Sequence, residues 1–201
     1  MERLVGSEMC IRDSIYPKDF AELDGIKSGE KGSLFEGAHR PGHFDGVLTV
    51  VNRLFDLVNP TSVVFGKKDA QQLYLVKEFL ANKSNNLKII EAEIIRDEYG
   101  LAMSSRNRLL SKSGINIARN IFQILENTKE HFIQNQDIQQ SEDFGKKLFD
   151  ENAIEYDYLN FVDPKYFETP DSNREKLLLI TAAYVQGIRL IDNMEVIQWR
   201  I

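Results

Sequence analysis

Residues 62–95 read SVVFGKKDAQQLYLVKEFLANKSNNLKIIEAEII, and the order of their apolar runs decides the fold. The β-branched run from Ser62 to Phe65 ends at Gly66 and predicts a short buried strand. Residues 69–81 repeat apolar side chains at helical spacing, with Asp69 as a candidate N-cap. Residues 87–95 predict a second strand. A strand, a helix and a strand in so short a span predict a βαβ unit with parallel strands.

The segment before this unit predicts a helix that covers the same sheet. Its apolar stripe consists of Val47, Val50, Val51, Leu54, Phe55 and Val58. Asn59-Pro60 ends the helix, because proline cannot continue the hydrogen-bond ladder. The fold class is therefore α/β, with a partial Rossmann-like, doubly wound parallel sheet. Because two strands are fewer than a sheet usually contains, we expect further strands of this domain to precede the chain.

The pattern changes after Arg96 and predicts a small α+β domain. Helices are expected at residues 112–132 and 141–152, with a flexible connection at 134–142, and strands at 156–162, 177–184 and 188–191. We divide the chain into a Rossmann-like nucleotide-binding part at residues 15–95 and a C-terminal lid domain at residues 96–201. Residues 1–14 show no periodicity, and we interpret them as a disordered or non-native leader.

Composition excludes several classes of protein. The formal charge of −6 argues against a general nucleic-acid binder, which usually carries a basic surplus. No apolar run approaches the roughly 20 residues that a membrane-spanning helix needs. Cys10 is the only cysteine, so the chain cannot form an internal disulfide or a Cys-rich zinc site. We expect a cytoplasmic protein without nucleic-acid or membrane partners.

The junction between the first strand and the next helix is the first candidate site. In an open α/β sheet this position faces the ligand crevice, and helix N-termini attract anions. Gly66 would allow close approach of a ligand to the backbone, and Lys68 would add a charged contact to phosphate or carboxylate. A tight turn with solvated lysines explains the same residues equally well.

The segment from Met103 to Asn107 is the second candidate, because it combines two hydroxyls with an arginine. Such donors suit phosphate oxygens, although an ordinary helix N-cap with a surface arginine has the same composition. His39 and His43 are four residues apart, but the intervening Pro41-Gly42 disfavours a helix and no third metal ligand is evident. We interpret both as loop histidines and His131 as a surface residue. These features alone do not name a substrate.

Four motifs extend this interpretation, because the chain resembles the pantothenate synthetases (pantoate–β-alanine ligases) from about Ile15 to its C-terminus. Residues 35–51 resemble the family's Glu-Gly-x-x-Arg-Pro-Gly-His-Phe-x-Gly-Val stretch. Residues 65–72 resemble the family's Phe-Gly-Glu-Lys-Asp-x-Gln-Gln motif. Residues 97–107 end in Gly-Leu-Ala-Met-Ser-Ser-Arg-Asn and resemble the family's Asp-Gly-Leu-Ala-x-Ser-Ser-Arg-Asn. Residues 189–193, Arg-Leu-Ile-Asp-Asn, also fit. The order and spacing of these four motifs make the resemblance specific.

The resemblance implies an ATP- and Mg²⁺-dependent ligase of the nucleotidyltransferase superfamily, which joins pantoate to β-alanine through a pantoyl adenylate. It implies nucleotide contacts from Gly66, Lys67, Lys68, Asp69 and Ile95, and from a mobile phosphate loop formed by Met103, Ser104, Ser105 and Arg106. Gln72 would hold pantoate, and Arg40 and His43 would shape the rim of the active site. The family is typically homodimeric.

Two departures from the family pattern affect these expectations. Lys67 stands where the family usually has Glu, which reverses a charge beside the phosphates. The family's Met-Gly-x-x-His-x-Gly-His signature, whose histidines bind ATP phosphates, does not occur in this chain. We therefore expect a C-terminal part of such a ligase that is inactive by itself. The alternatives are another small-carboxylate adenylyltransferase and a non-catalytic binding module.

Overall fold

A computed structural model describes Ile15 and residues 26–83, 87–170 and 175–197. The leader predicted at residues 1–14, including Cys10, lies outside the described residues. The described chain contains a parallel two-stranded sheet with helices and an antiparallel three-stranded sheet with helices. These two units confirm the predicted fold class. The exact division at residues 95 and 96 stays a prediction.

Two short helices precede the first long helix in the described part of the N-terminal unit. A 3₁₀ helix at Glu30–Ser33 precedes α1 (Glu36–His39). Helix α2 (His43–Val58) starts four residues before the predicted apolar stripe and ends at Val58, with Asn59 as its C-cap before Pro60. Strand β1 (Ser62–Gly66), α3 (Ala70–Ala81) and β2 (Lys88–Ala92) form the predicted βαβ unit, with β1 and β2 parallel.

The prediction that β1 is buried was wrong. Helices α2 and α3 pack on the face that carries Phe65 and Ile89, whereas Val64 on the other face is 64% exposed. Within the described part of the chain, no element covers that second face, so the strand alternates between partial burial and exposure. The apolar stripe of α2 divides in the same way. Val51 and Phe55 pack against the apolar core, while Val50 and Val58 are exposed.

The C-terminal unit packs two helices on a three-stranded sheet. Helices α4 (Lys112–Asn135) and α5 (Ile138–Glu151) precede β3 (Glu155–Val162), β4 (Lys176–Val185) and β5 (Ile188–Ile197), which pair in the antiparallel order β3-β4-β5. Its core contains the fully buried side chains of Phe132, Phe149, Leu159, Leu179 and Val196. A smaller apolar cluster, which includes Phe167 and Ile180, packs against Phe35 and Tyr74 and joins the two units.

The flexible connection predicted at residues 134–142 was also wrong. Helix α4 continues to Asn135 and α5 begins at Ile138, so only Gln136 and Asp137 separate them. The Asp137 carboxylate caps α5 by accepting the Gln140 amide N–H at 2.9 Å. His131 differs from the prediction as well, because its ring stacks on Phe144 and its Nδ1 lies 2.9 Å from Ser141 Oγ. None of the described helices is long and apolar enough to cross a membrane.

Candidate active site

A cavity of about 300 Å³ lies where the two units meet. Its wall comes from the start of α2, the β1–α3 turn, a 3₁₀ helix at Ser105–Leu109 and strand β5. The predicted site residues that line it are Arg40, His43, Lys68, Asp69, Gln72, Ser104, Ser105 and Arg106. Three motifs that are far apart in the sequence therefore converge on one cavity.

The β1–α3 turn presents Lys68 to this cavity. Its Nζ donates to the carbonyl oxygen of Met103 at 3.3 Å, which links the turn to the serine-arginine segment. Burial lowers the pKa of Lys68 below its usual value, and the nearby Asp192 and Asp69 carboxylates oppose that shift. Lys68 lies close to the N-terminus of α3. Asp69 precedes α3, but its side chain makes no capping hydrogen bond, contrary to the N-cap prediction.

The serine-arginine segment forms a tight turn and not an open loop. Ser104 Oγ accepts the Arg106 amide N–H at 3.2 Å and caps the 3₁₀ helix. Arg106 Nη1 donates to the Arg189 carbonyl oxygen at 3.1 Å, so β5 helps to orient the guanidinium. The hydroxyls of Ser104 and Ser105 line the same wall. The segment therefore offers hydroxyl and guanidinium donors together.

The break between α1 and α2 places Arg40 and His43 at the cavity. Gly42 has φ +75°, a left-handed conformation that favours glycine, and the His43 amide N–H closes the turn on the Arg40 carbonyl at 3.0 Å. Burial and the charge of Arg40 lower the pKa of His43, which favours the neutral imidazole. His39 lies apart from His43, with its Nδ1 3.4 Å from Asp157 Oδ1.

Four predicted residues do not line the cavity, namely Gly66, Lys67, Ile95 and Met103. Lys67 Nζ lies 2.5 Å from Glu93 Oε1 and 3.6 Å from Glu195 Oε1, so its ammonium pairs with carboxylates outside the cavity. Ile95 and Met103 are 70% and 54% exposed, respectively. The Met103 amide N–H donates to the Ile95 carbonyl at 2.8 Å, which holds these two residues together.

A buried polar network at the cavity wall was missed in the sequence. Tyr158 donates its hydroxyl to Glu36 Oε2 at 3.2 Å, and Arg189 pairs with Glu36 at 2.5 Å and Asp157 at 2.6 Å. Burial, with the charge of Glu36, raises the pKa of Tyr158 well above its usual value, so the hydroxyl stays protonated. Glu36 belongs to the motif at residues 35–51, so the sequence could have indicated it as a site residue. Tyr158 lies in a predicted strand, and nothing in the local sequence distinguishes it.

A second pair of missed residues, Asp192 and Asn193, lines the cavity from β5. Arg96 binds both carboxylate oxygens of Asp192, at 2.7 and 3.0 Å. Burial raises the pKa of Asp192, and the hydrogen bonds from Arg96 oppose this. Both residues belong to the Arg-Leu-Ile-Asp-Asn motif, but their partners are not evident from the sequence.

The electrostatics of the cavity favour an anionic ligand. The carboxylates of Glu36 and Asp192 are neutralised by Arg189 and Arg96. Lys68 and Arg106 line the cavity without a carboxylate partner among the described residues. Cations, hydroxyls and a helix N-terminus together suit phosphate or carboxylate oxygens. Within the described ranges, no group of three His, Cys, Asp or Glu residues is placed to hold a metal ion.

Comparisons with known proteins identify the family to which this chain is similar. A family model for pantoate-beta-alanine ligase matches residues 11–195. A pantothenate synthetase from Cytophaga hutchinsonii is 38% identical over 195 residues, which cover 92% of this chain and 69% of that protein. Seven further pantothenate synthetases are covered over 57–65% of their length.

Solved structures give the same result. The crystal structure of pantothenate synthetase from Thermus thermophilus has a TM-score of 0.85 and 31% identity, and the match covers 96% of this chain and 75% of that one. A pantoate-beta-alanine ligase from Francisella tularensis, complexed with beta-gamma ATP and beta-alanine, has a TM-score of 0.67 and 28% identity, with 94% and 69% covered. This chain therefore belongs to the pantoate-beta-alanine ligase family.

Proposed function

We propose that this chain carries the ATP- and pantoate-facing part of an ATP-dependent pantoate–β-alanine ligase. The observation that carries the proposal is the convergence of Lys68, Arg106 and Gln72 on one cavity. The family match and the ATP and β-alanine in the Francisella tularensis relative support this assignment. A cytoplasmic location and a homodimer belong to the same proposal.

The first chemical step is adenylation of pantoate. A carboxylate oxygen of pantoate attacks the α-phosphorus of ATP, and the bond from that phosphorus to the pyrophosphate oxygen breaks. Negative charge grows on the leaving pyrophosphate, where Lys68 and Arg106 supply fixed positive charge. The hydroxyls of Ser104 and Ser105 donate to the same oxygens. In the second step the β-alanine amine attacks the acyl carbon, and AMP leaves.

Substrate orientation falls to the remaining cavity residues. Gln72 lines the cavity at the first turn of α3, and we assign it to pantoate. The adjacent Gln71 has a structural role, because its amide donates to the carbonyls of Lys31 and Leu34 at 2.7 and 2.9 Å. Arg40 and His43 form the rim near the start of α2. Holding both reactants in one geometry lowers the entropic part of the barrier.

The predicted nucleotide-binding residues outside the cavity lining have more limited roles. We propose that Gly66 and Lys67 act through their backbone, since the Lys67 side chain is held by Glu93 and Glu195. Ile95 and Met103 would contact the nucleotide next to the Lys68–Met103 hydrogen bond. Asp69 is the one acidic residue in the cavity whose carboxylate no described cation pairs. Mg²⁺ would therefore be held mainly by the phosphates of ATP, as is usual for nucleotide-bound magnesium.

Nucleotide binding provides the direct test. ATP is titrated into the 201-residue chain by calorimetry, beside the variants Lys68→Ala and Arg106→Ala. Each variant should bind ATP about tenfold to a hundredfold more weakly, because each loses one charge-assisted contact. Lys88→Ala removes an exposed lysine from β2, outside the cavity, and should leave affinity unchanged. Equal affinity in all four proteins would contradict the assignment of the cavity.

Pantoate-dependent exchange of pyrophosphate into ATP separates the candidate activities. The assay compares this chain with a version that carries the N-terminal residues of the Cytophaga hutchinsonii relative. Our expectation that this chain alone is inactive predicts exchange in the extended protein only. Exchange by the short chain would refute that expectation. Exchange with other small carboxylates but not with pantoate would favour the alternative adenylyltransferase, and silence of both folded proteins would favour a binding module.

A further inference from the structure

Asn193 forms a clasp between the C-terminal sheet and the β1–α3 turn. It lies in β5 and is 4% exposed. Its Nδ2 donates to the carbonyl oxygen of Lys67 at 3.0 Å and to that of Lys68 at 2.9 Å. Both protons of one side-chain amide are thus used on two consecutive peptide groups that are 126 and 125 residues away in sequence.

The clasp fixes the direction of two amides. In a trans peptide the C=O and N–H groups point in opposite directions. Because Asn193 holds the carbonyls of Lys67 and Lys68, the N–H groups of Lys68 and Asp69 point away from it. Neither N–H donates to any acceptor in the part of the chain that the structure describes. Successive free amides of this kind form an anion-binding backbone concavity.

Asn193 has no freedom to release the turn. Its own amide N–H donates to Asp192 Oδ1 at 2.7 Å, and its carbonyl accepts Arg96 Nη2 at 3.0 Å. The same turn is tied to β5 a second time, since Lys67 Nζ lies 3.6 Å from Glu195 Oε1. The C-terminal sheet therefore determines the conformation of the turn that carries Lys68 and Asp69.

We propose that Asn193 is a positioning residue for nucleotide binding, which acts by aiming the Lys68 and Asp69 amides at acceptor oxygens of the nucleotide. This inference rests on the proposed function of the cavity. It assigns a binding role to a side chain of the C-terminal unit that acts through the backbone of the N-terminal unit. It also makes nucleotide affinity depend on the contact between the two units.

The test uses the full 201-residue chain, with ATP as the probe. Asn193→Asp is close to isosteric but replaces two donated protons with a carboxylate that repels the two carbonyls. Affinity should fall about tenfold to a hundredfold because the turn loses both orienting hydrogen bonds. Asn52→Asp is the matched control, since Asn52 is buried in α2 and lies outside the cavity. It should leave the affinity for ATP unchanged.

Amide NMR spectra of the unmodified chain provide a readout that does not depend on a variant folding. Addition of ATP should shift the amide resonances of Lys68 and Asp69 downfield, as new hydrogen bonds form. If ATP binds but these resonances stay in place, or if Asn193→Asp binds ATP as tightly as the parent, the inference is overturned and the proposed function stands. If the parent does not bind ATP, both are overturned.

Discussion

Replacing Arg96 with methionine should destabilise the protein strongly. Asp192 is 5% exposed, and Arg96 binds its two carboxylate oxygens at 2.7 and 3.0 Å. The guanidinium also donates to the carbonyls of Gly100 and Asn193, at 2.9 and 3.0 Å. Methionine fills similar space but leaves a buried carboxylate without its counter-ion. Breaking such a pair costs about 3–5 kcal/mol of unfolding free energy.

Urea denaturation followed by far-UV circular dichroism measures this loss, and its pH dependence tests the mechanism. Burial raises the pKa of Asp192 above its unfolded value, and loss of Arg96 raises it further. The folded variant therefore binds a proton more tightly than the unfolded chain does. Its stability should rise as the pH falls from the folded-state pKa toward the unfolded value of about 4. The difference in unfolding free energy between the parent and the Arg96→Met variant should therefore become smaller as the pH falls over that range.

The double variant Arg96→Met/Asp192→Asn separates the buried charge from lost packing. Removing the charge should restore part of the stability, so that the double variant is more stable than Arg96→Met alone. The reasoning is refuted if the single variant loses less than about 1 kcal/mol, the typical value for an exposed pair. The single variant Asp192→Asn completes the comparison. The reasoning is also refuted if the stability losses of Arg96→Met and Asp192→Asn add up to the loss in the double variant, because the effects of two interacting residues should not be additive.

Three smaller predictions concern packing, helix propensity and acid stability. Gly145→Ala places a Cβ 2.3 Å from Thr128 Oγ1 and should cost about 1–3 kcal/mol in urea denaturation. Gly46→Ala in α2 meets nothing within 4 Å and should instead stabilise the protein by up to about 1 kcal/mol. Hydrogen bonds from the backbone and side chain of Ser28 lower the pKa of Asp45 to about 2. The stability that Asp45 contributes should be complete above about pH 4 and lost as the pH falls through about 2, a dependence that Asp45→Asn should remove in acid titration.

Strand β5 shows why the sequence predicted some elements only in part. The apolar pattern of Ile188 to Ile191 predicted a strand, yet the strand continues to Ile197. Asp192 and Asn193 interrupt the pattern because their polar side chains are buried against partners about 100 residues earlier in the chain. A sequence window contains no information on those partners. Local periodicity therefore predicted the start of the strand and missed its continuation through Asp192 and Asn193.

The residues of the candidate site were likewise predicted only where their signal is local in the sequence. Lys68, Gln72 and Arg106 were predicted from motifs that are local in sequence, and the structure places all three at one cavity. The pair of Glu36 and Tyr158 was missed, because the two residues are 122 positions apart and meet only after the sheet has formed. Polar networks between distant segments depend on tertiary contacts. Such contacts leave no periodic signal in a single sequence.

Adjacent lysines give the clearest example of what the fold adds. Lys67 stands where the family motif usually has Glu, and this reversal of charge suggested altered electrostatics beside the ATP phosphates. The Lys67 ammonium instead lies between the carboxylates of Glu93 and Glu195, and Lys176 Nζ is 3.0 Å from the same Glu195 oxygen. A glutamate at position 67 would add a third negative charge to this group. The positive charge of Lys67 is therefore complementary to the carboxylates around it, which lie outside the cavity. The backbone carbonyl of Lys67 accepts the Asn193 hydrogen bond that holds the turn.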